Sequence, residues 1–369
     1  MVKVLSQRAL NRATLARQLL MQRSDMSVID AVEHLVGLQA QTPHSWYIGL
    51  WSRLTDFQAD DAAELLIDRS LVRIALMRST IHLVTAADAG ALRAVVQPVL
   101  DRDLYANATH GRPIHGVDMK VLTAAGRDLL AERPMTAKEL GERLHAQGFD
   151  VPPATLAYAI RNLVPLVQVP PRGVWGRSGP IAHTTADDWV GPLSAPAPTM
   201  QDLVLRYLAA FGPATIADMQ RWSGLTRLRE VVDPLRSQLL TFRGEEGQEL
   251  FDLPDGPRPD APAPPRFLYD FDNLLLSYAD RSRVITDDFH RHSFRPHGPV
   301  PSVVLIDGFT AADWTITQSG DTSTLKIRTY APVSEAVAGE LIDEGRRLLA
   351  FTHPQSASRH VDLVTDLFP

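Results

Sequence analysis

Cysteine is absent from the chain of 369 residues, so no disulfide, thiolate nucleophile or cysteine-ligated zinc site can form. No run of about 18 uncharged apolar residues occurs either, which excludes a membrane-spanning helix. The first 20 residues contain three arginines and no apolar core, so they are not a signal peptide. These absences together predict a cytoplasmic protein.

Lysine is scarce: it supplies four of the 37 basic residues, and arginine supplies the rest. Arginine suits bidentate contacts with phosphate, although a GC-rich genome gives the same bias. The net charge of −6 argues mildly against nucleic-acid binding, which needs clustered basic residues. A basic face can still coexist with acidic outer surfaces, so a DNA partner is not excluded.

Three segments share one pattern of three helices followed by two strands, and the clearest copy is the third. Thr215 is the predicted cap of its second helix, and Gly224 ends that helix. The predicted helices of this copy are 202–211, 216–223 and 227–236, and its strands are 239–243 and 249–253. This order of elements is the plan of a winged-helix motif.

The other two copies are less regular. In the second, the predicted helices are 121–132, 137–147 and 154–163, and the strands are 166–169 and 174–177. In the first, the helices are 7–21, 28–38, 61–68 and 86–99, the strands are 71–77 and 80–85, and 101–118 is a mobile loop.

The composition changes after residue 253. Six prolines fall within 254–265, which predicts an extended connector. Strands at 302–306, 314–318 and 322–328 and a helix at 333–350 then indicate a small β-rich domain. We therefore predict an α+β fold with winged-helix motifs in 1–118, 119–198 and 199–253, and a barrel-like domain in 254–369.

Two glutamines, Gln39 and Gln41, flank Ala40 shortly before Pro43. Proline disfavours the α conformation of the residue before it, so the helix should end near this point. In an extended segment the side chains at i and i+2 point the same way, and two amides can hold one water between them. The alternative is that both amides only satisfy backbone groups at the helix terminus.

The sequence resembles the AlkZ-type DNA glycosylases over nearly its whole length. The stretches that carry this resemblance are GLQAQ at 37–41, RSTIHLV at 78–84, RYLAAFGP at 206–213, FDNLLL at 271–276 and ADRSR at 279–283. The family combines tandem winged-helix motifs with a C-terminal β-barrel. Its catalytic pattern is glutamine, an aliphatic residue and glutamine, which implies that Gln39 and Gln41 are catalytic.

The resemblance also implies a substrate class. A sister branch of the family has aspartate at the second polar position, so Gln41 indicates the branch associated with bulky adducts and crosslinks made by antibiotics. A purine alkylated at N7 is cationic and leaves readily, so a positioned water and two neutral amides suffice for hydrolysis. The expected partner is double-stranded DNA containing alkylated purines, which would place the protein on the nucleoid, as a monomer.

Further residues are candidates for DNA or lesion contact. Arg78, Thr80 and His82 should share one face of a strand, where the alternative is an ordinary solvent-facing strand. Arg281, with Asp272, Asn273 and Asp280, either lines the cleft or braces the barrel against the helical part. Phe309, near a predicted hairpin tip, is either a wedge for a DNA groove or a residue packed inside the barrel.

No metal or cofactor is expected. The histidines lack the spacing of a zinc site, and no glycine-rich phosphate loop occurs. Two hypotheses compete with the glycosylase: a non-catalytic winged-helix regulator that binds DNA, and a structural interaction module. Neither of these needs the glutamine pair, so the position of the two amides decides among the three.

Overall fold

The structure is a computed structural model that describes residues 3–191, 198–293 and 301–365. Its helices are α1 Gln7–Arg17, α2 Val28–His34, α3 Trp46–Trp51, α4 Ala59–Ile67, α5 Ala86–Ala106, α6 Met119–Glu132, α7 Ala137–Ala146, α8 Pro153–Leu163, α9 Ala186–Val190, α10 Met200–Phe211, α11 Ile216–Ser223, α12 Arg229–Val232, α13 Asn273–Leu276, α14 Asp287–His292 and α15 Glu335–Thr352.

The strands form three sheets in the described ranges. They are β1 Val4–Leu5, β2 Leu38–Gln39, β3 Leu71–Ala75, β4 Ile81–Thr85, β5 Met135–Thr136, β6 Leu166–Gln168, β7 Ala182–Thr185, β8 Leu240–Gly244, β9 Glu249–Asp252, β10 Arg266–Leu268, β11 Val303–Ile306, β12 Phe309–Ser319, β13 Thr322–Thr329 and β14 Ser358–Thr365. Mixed α and β structure is therefore confirmed.

Local signals in the sequence place most helix starts correctly. The Thr215 hydroxyl accepts a hydrogen bond from the amide of Asp218, and the Asp218 carboxylate accepts one from the amide of Thr215. This reciprocal cap fixes the start of α11, and Gly224 ends the helix in the left-handed conformation, as predicted. Thr136 caps α7 in the same way through the amide of Glu139.

Several predicted boundaries are wrong for identifiable reasons. The helix predicted at 227–236 divides into α12 and a 3-10 turn at Asp233–Gln238, because Pro234 cannot donate the backbone hydrogen bond of an α-helix. The strand predicted at 174–177 is a turn, and β7 pairs with β6 instead. The Tyr47 hydroxyl donates to the carbonyl of Gly173 and accepts from the amide of Trp175, which holds that turn against α3.

The loop predicted at 101–118 begins too early, because α5 continues to residue 106. Leu100 and Leu104 are fully buried on this extension. The Ser79 hydroxyl also donates to the Asp103 carboxylate at 2.8 Å, so the last turns of α5 contact the turn between β3 and β4. Packing across the chain thus extends the helix past the point where its local pattern weakens.

One six-stranded sheet joins the first two segments, in the order β2-β4-β3-β6-β7-β5. Arg73 and Ile74 of β3 pair with Gln168 and Val167 of β6. A second sheet has the order β1-β8-β9, so the N-terminal strand pairs with the hairpin of the third segment. The hairpins are therefore shared between segments that the sequence divides.

The C-terminal strands form an open sheet, so the barrel expectation is wrong for the described residues. The order is β10-β11-β12-β13-β14, with β10 and β14 at its two edges. Strands β13 and β14 are parallel and are connected through α15. Helix α15 lies directly on the sheet, because a Cβ on Gly345 would come within 2.8 Å of the Leu325 side chain.

A single large hydrophobic core contains residues from α2 to α15 and so spans all four predicted segments. Buried ion pairs connect the same segments. Arg17 contacts Asp252 at 2.6 Å, and Arg53 makes two hydrogen bonds of 2.8 Å with Asp272. Within the described residues, no helix combines the length and apolarity needed to cross a bilayer.

We expect Asp272→Ala to destabilise the fold by about 3–5 kcal/mol, because it leaves the buried Arg53 guanidinium without its carboxylate. The measurement is the midpoint of thermal unfolding. Asp343→Ala is the matched control, since Asp343 pairs with Arg346 on an exposed face of α15 and exposed pairs contribute little. Equal midpoints for the two variants would contradict the role assigned to the buried pair.

Candidate active site

The glutamine motif lies on an extended strand that follows α2. The predicted helix 28–38 ends at residue 34, because Val36 and Gly37 have φ values of 54° and 84°. Glycine is required at this turn, since a Cβ on Gly37 would lie 2.8 Å from the carbonyl oxygen of Leu83. Helix α2 therefore stops before the motif, and Gln39 pairs with His82 of β4.

The side chain of Gln39 is fixed by an arginine. The Nη2 of Arg78 donates to Oε1 of Gln39 at 2.6 Å, and the Gln39 residue is only 4% exposed. The carbonyl oxygen has a second lone pair, so Gln39 can still accept a hydrogen bond from water or substrate.

Gln41 is exposed, in contrast to Gln39. Its Oε1 accepts a hydrogen bond of 3.3 Å from the backbone amide of Ile81. Gln39 thus contacts the turn between β3 and β4, Gln41 contacts the first residue of β4, and neither amide satisfies the end of an α-helix. A catalytic pair is expected to expose both amides to the DNA, and this expectation holds for Gln41 but is wrong for Gln39.

Side chains from the C-terminal segment hold the backbone of the motif. The hydroxyl of Tyr269 donates to the carbonyl of Gln39 at 3.0 Å. Asn273 accepts from the amide of Gln39 at 3.1 Å and donates to the carbonyl of Gly37 at 2.7 Å. Asn273 and Asp272 therefore brace the segments, which is the second of the two alternatives that the sequence left open.

Arg73 supports the peptide between the two glutamines. Its Nη2 donates to the carbonyl of Ala40 at 2.7 Å, whereas its Nε and Nη1 are buried without a hydrogen-bond partner. Burial, followed by the charge of Arg172, lowers the pKa of Arg73 to about 10. The guanidinium therefore remains charged at neutral pH directly behind the motif.

Three arginines form a cationic cluster beside Gln39: Arg78, Arg221 and Arg281. None of them has a carboxylate partner in an ion pair within the described parts of the chain. Burial and then Arg221 lower the pKa of Arg78 to about 10, and the same two causes lower the pKa of Arg281. Because Arg221 lies on α11 and Arg281 precedes α14, the cluster combines residues that are distant in sequence.

The predicted strand face of Arg78, Thr80 and His82 is wrong. Arg78 has a φ of 55° in the 3-10 turn Met77–Ser79, so only His82 lies on a strand. Thr80 is half-buried, and its hydroxyl donates to the carbonyl of Met77 at 3.0 Å. His82 is 1% exposed, so it packs behind the site and has no surface for DNA contact.

Burial keeps His82 neutral. Loss of solvation, followed by the charge of Arg78, lowers the pKa of His82 to about 3. Its Nδ1 lies 2.9 Å from the carbonyl oxygen of Thr80. A neutral ring at this position supports β4 and cannot act as a general acid near pH 7.

Phe309 does not extend from a free hairpin tip, which contradicts the wedge expectation. The two preceding residues, Asp307 and Gly308, pack against α1. Arg8 donates to the carboxylate of Asp307 at 2.7 Å, and Arg12 pairs with it as well. Phe309 is half-buried at the start of β12, and the hairpin is part of the open sheet.

Sequence reasoning missed Arg73, Tyr269 and Arg221. Arg73 has a usable signal, because it is the one charged residue in the apolar strand LVRIA at 71–75. Tyr269 and Arg221 have no comparable local signal, since their roles depend on contacts made in the folded chain. No group of three or more His, Asp or Glu side chains suited to a metal ion occurs in the described ranges.

Comparison with known proteins agrees with this architecture. The sequence model of the family described as DNA glycosylase AlkZ-like matches residues 32–351. A curated relative from Streptomyces sahachiroi, the "Interstrand DNA cross-link repair glycosylase", is 27% identical over 324 residues, which are 81% of this chain and 85% of the relative.

A solved structure with a similar fold is the Streptomyces sahachiroi DNA glycosylase AlkZ. The TM-score is 0.79 at 22% sequence identity, over 98% of this chain and 100% of that chain. The family match covers most of the sequence, so the resemblance found in the motifs is confirmed. The chain belongs to the AlkZ-like family of DNA glycosylases, hydrolases that act on N-glycosyl bonds.

Proposed function

We propose that this glycosylase hydrolyses the N-glycosidic bond of N7-alkylated purines in double-stranded DNA, including bulky adducts and interstrand crosslinks. One observation carries the proposal: Arg78 fixes Oε1 of Gln39 at 2.6 Å within a cluster of three cations, and Gln41 is two residues away. The printed name of the Streptomyces relative supports the crosslinked substrate.

The amides match the chemistry of a cationic leaving group. When the C1′–N9 bond breaks, its electron pair moves into the purine ring and neutralises the positive charge, so no strong acid is needed. A water adds to C1′ and releases its proton to solvent. The second lone pair of Gln39 Oε1 orients that water, and the exposed Gln41 carbonyl faces the positive charge that develops on the sugar.

The cationic cluster is the proposed phosphate contact. Arg221 is exposed and Arg281 is half-buried, and both have guanidinium groups without a carboxylate partner among the described residues. When such groups bind phosphates, they release the counterions that are condensed on the DNA, which favours binding. Arg78 and Thr80, in the half-buried turn between β3 and β4, are the proposed lesion contacts of the same surface.

We also propose that 1–118, 119–198 and 199–253 are winged-helix units. The support is the recurrence of helices followed by a hairpin: β3–β4 in the first segment, β6–β7 in the second and β8–β9 in the third. The C-terminal segment supplies Tyr269 and Asn273 to the glutamine motif, so it completes the site.

The direct test is incubation with a duplex that contains one N7-methylguanine. We expect free N7-methylguanine and an abasic site that heat or base converts into a strand break. A second duplex with an interstrand crosslink through N7 of guanine tests the wider substrate class. Binding of both duplexes without release of a base would instead indicate a DNA-binding protein that has lost the activity.

We expect Gln39→Ala and Gln41→Ala each to lower the single-turnover excision rate about 100–1,000-fold, because each removes a positioned acceptor near the reacting sugar. Binding of the lesion duplex should change by less than about threefold, since the cationic cluster remains. Gln58→Ala, at an exposed position, is the matched control. Undiminished excision by both site variants would remove the catalytic assignment.

We expect Arg221→Ala to weaken DNA binding and to reduce the slope of log Kd against log salt by about 1, the contribution of one phosphate contact. The single-turnover rate at saturating enzyme should not change, because Arg221 does not contact either glutamine. Arg346→Ala, on the exposed face of α15, is the control. An unchanged salt slope would show that the cluster lies outside the DNA path.

We expect the single-turnover excision rate to be constant between about pH 6 and 8.5. The pKa of His82 is lowered to about 3, so its ring does not titrate in this range. The same shift makes the free energy of unfolding depend on pH. Below the usual pKa of 6.5, His82 is protonated in the unfolded chain but not in the folded chain, so His82 lowers the stability as the pH falls towards 3. A rate that follows one pKa near 6.5 would contradict the neutral-amide mechanism.

A further inference from the structure

A cavity of about 430 Å³ lies between α7, α8, β6 and β7, and the proposed chemistry does not use it. We call it the second-repeat cavity. Its lining is mainly apolar and includes Leu140, Ala154, Ala157 and Leu166. The volume lies in the range of small-molecule sites, about 300–1,000 Å³.

Aromatic rings form one part of the lining. The rings of His110 and Tyr158 stack with their centroids 4.5 Å apart. Nδ1 of His110 lies 3.0 Å from the hydroxyl of Thr155, and the hydroxyl of Tyr158 donates to Asp103. The stacked pair is therefore held in place, and a flat apolar group can pack beside it.

Besides Lys138, which is paired with Glu142 at 3.9 Å, two polar side chains in the lining have the chemistry to bind an oxygen acceptor, His183 and Arg161. The backbone of His183 pairs with β5 and β6, whereas its imidazole makes no hydrogen bond with the described residues. Burial, followed by the charges of Arg161 and Arg73, lowers the pKa of His183 to about 4, so its ring is neutral and has one N–H to donate. Arg161 adds a guanidinium, whose pKa burial also lowers.

Arg161 also connects the cavity to the glutamine motif. Its Nη1 donates to the hydroxyl of Ser79 at 3.0 Å, and its Nη2 donates to the carbonyl of Ser79 at 2.5 Å. Ser79 follows Arg78, which holds Oε1 of Gln39 at 2.6 Å. A chain of contacts through Arg161, Ser79 and Arg78 thus joins the lining of the cavity to Gln39.

We propose that the second-repeat cavity binds a planar aromatic group that carries an oxygen acceptor, and that this group is the appendage of a bulky adduct whose purine lies at Gln39. The assignment of this group to a DNA adduct rests on the proposed function. The kind of ligand that the cavity binds does not depend on that function. A free aromatic acid has the same chemistry, so the experiments distinguish the two sources.

The first experiment fills the cavity. Ala154 is exposed on α8 and lines the cavity, so Ala154→Phe occupies it without disturbing the core. Ala146→Phe is the matched control, because Ala146 is exposed at the end of α7 and does not line the cavity. The substrates are one duplex with N7-methylguanine and one with a guanine that carries a two-ring aryl carboxamide at N7.

We expect Ala154→Phe to lower kcat/KM for the aryl adduct at least about tenfold and to change excision of N7-methylguanine by less than about twofold. Ala146→Phe should leave both unchanged. Equal effects of Ala154→Phe on both substrates, or no effect on either, would overturn the assignment of the adduct to the cavity.

The second experiment measures binding of anilinonaphthalene sulfonate by fluorescence, without DNA. We expect wild type and Ala146→Phe to bind it equally, and Ala154→Phe to bind at least about tenfold more weakly. Equal binding by all three proteins would overturn the cavity as an aromatic site. Loss of probe binding with normal excision of the aryl adduct would overturn the adduct as its source and indicate a free aromatic acid.

The two experiments also separate this proposal from the proposed function. If the wild type fails to excise N7-methylguanine, the proposed function fails while the fluorescence result still decides the ligand chemistry of the cavity. If it excises N7-methylguanine but does not discriminate through Ala154→Phe, only the subsite fails.

Discussion

The hydrogen bond from Arg78 to Gln39 is the contact on which the geometry of the site depends. The left-handed conformation of Arg78 directs its guanidinium at Gln39, and the same group also donates to the carbonyl of Trp222 at the end of α11. Because Trp222 belongs to the third segment, the position of the amide depends on packing between the first and third segments. Because the Gln39 side chain is already fixed, it loses little conformational entropy when the transition state forms. The core shared by all four segments therefore serves the chemistry as well as the stability.

The distribution of charge explains how an acidic protein can bind DNA. In the core, arginines such as Arg17, Arg53 and Arg283 contact carboxylates, and those charges balance. At the site, the cationic cluster has no such partners among the described residues, so its positive potential is available to phosphate. Arg73 is an intermediate case, since it is buried without a carboxylate and holds the carbonyl of Ala40. A positive charge behind the motif does not favour a cation on the sugar, so in the proposed mechanism the two amides supply that stabilisation through their oxygens.

Local signals predicted the elements whose ends are decided within a few residues. The caps of α7 and α11 follow from the positions of Thr136, Thr215 and Gly224, and the third hairpin follows from the alternation of apolar residues on both sides of its turn. The motif resemblance identified the family before any contact was known. The long-range features have no local signal, because they join residues that are distant in sequence. Examples are the pairing of β3 with β6, the pairing of β14 with β13 and the hydrogen bond from Tyr269 to Gln39. The barrel was overpredicted for the same reason, because alternation of apolar residues shows that strands form and not whether their sheet closes.

In the mechanism that we propose, a site built from neutral amides makes the charge of the substrate the source of selectivity. Neither Gln39 nor Gln41 can protonate a leaving group, and His82 is neutral, so an ordinary purine gains little from this arrangement. An N7-alkylated purine brings its own positive charge, and the requirement for shape recognition around the alkyl group is correspondingly weak. The surroundings of the motif can then accept N7 alkyl groups of different size while the glycosidic bond is still hydrolysed. Discrimination among adducts would then come from surfaces outside the motif, and the second-repeat cavity, whose Arg161 contacts Ser79 next to Arg78, is the surface that we propose for it.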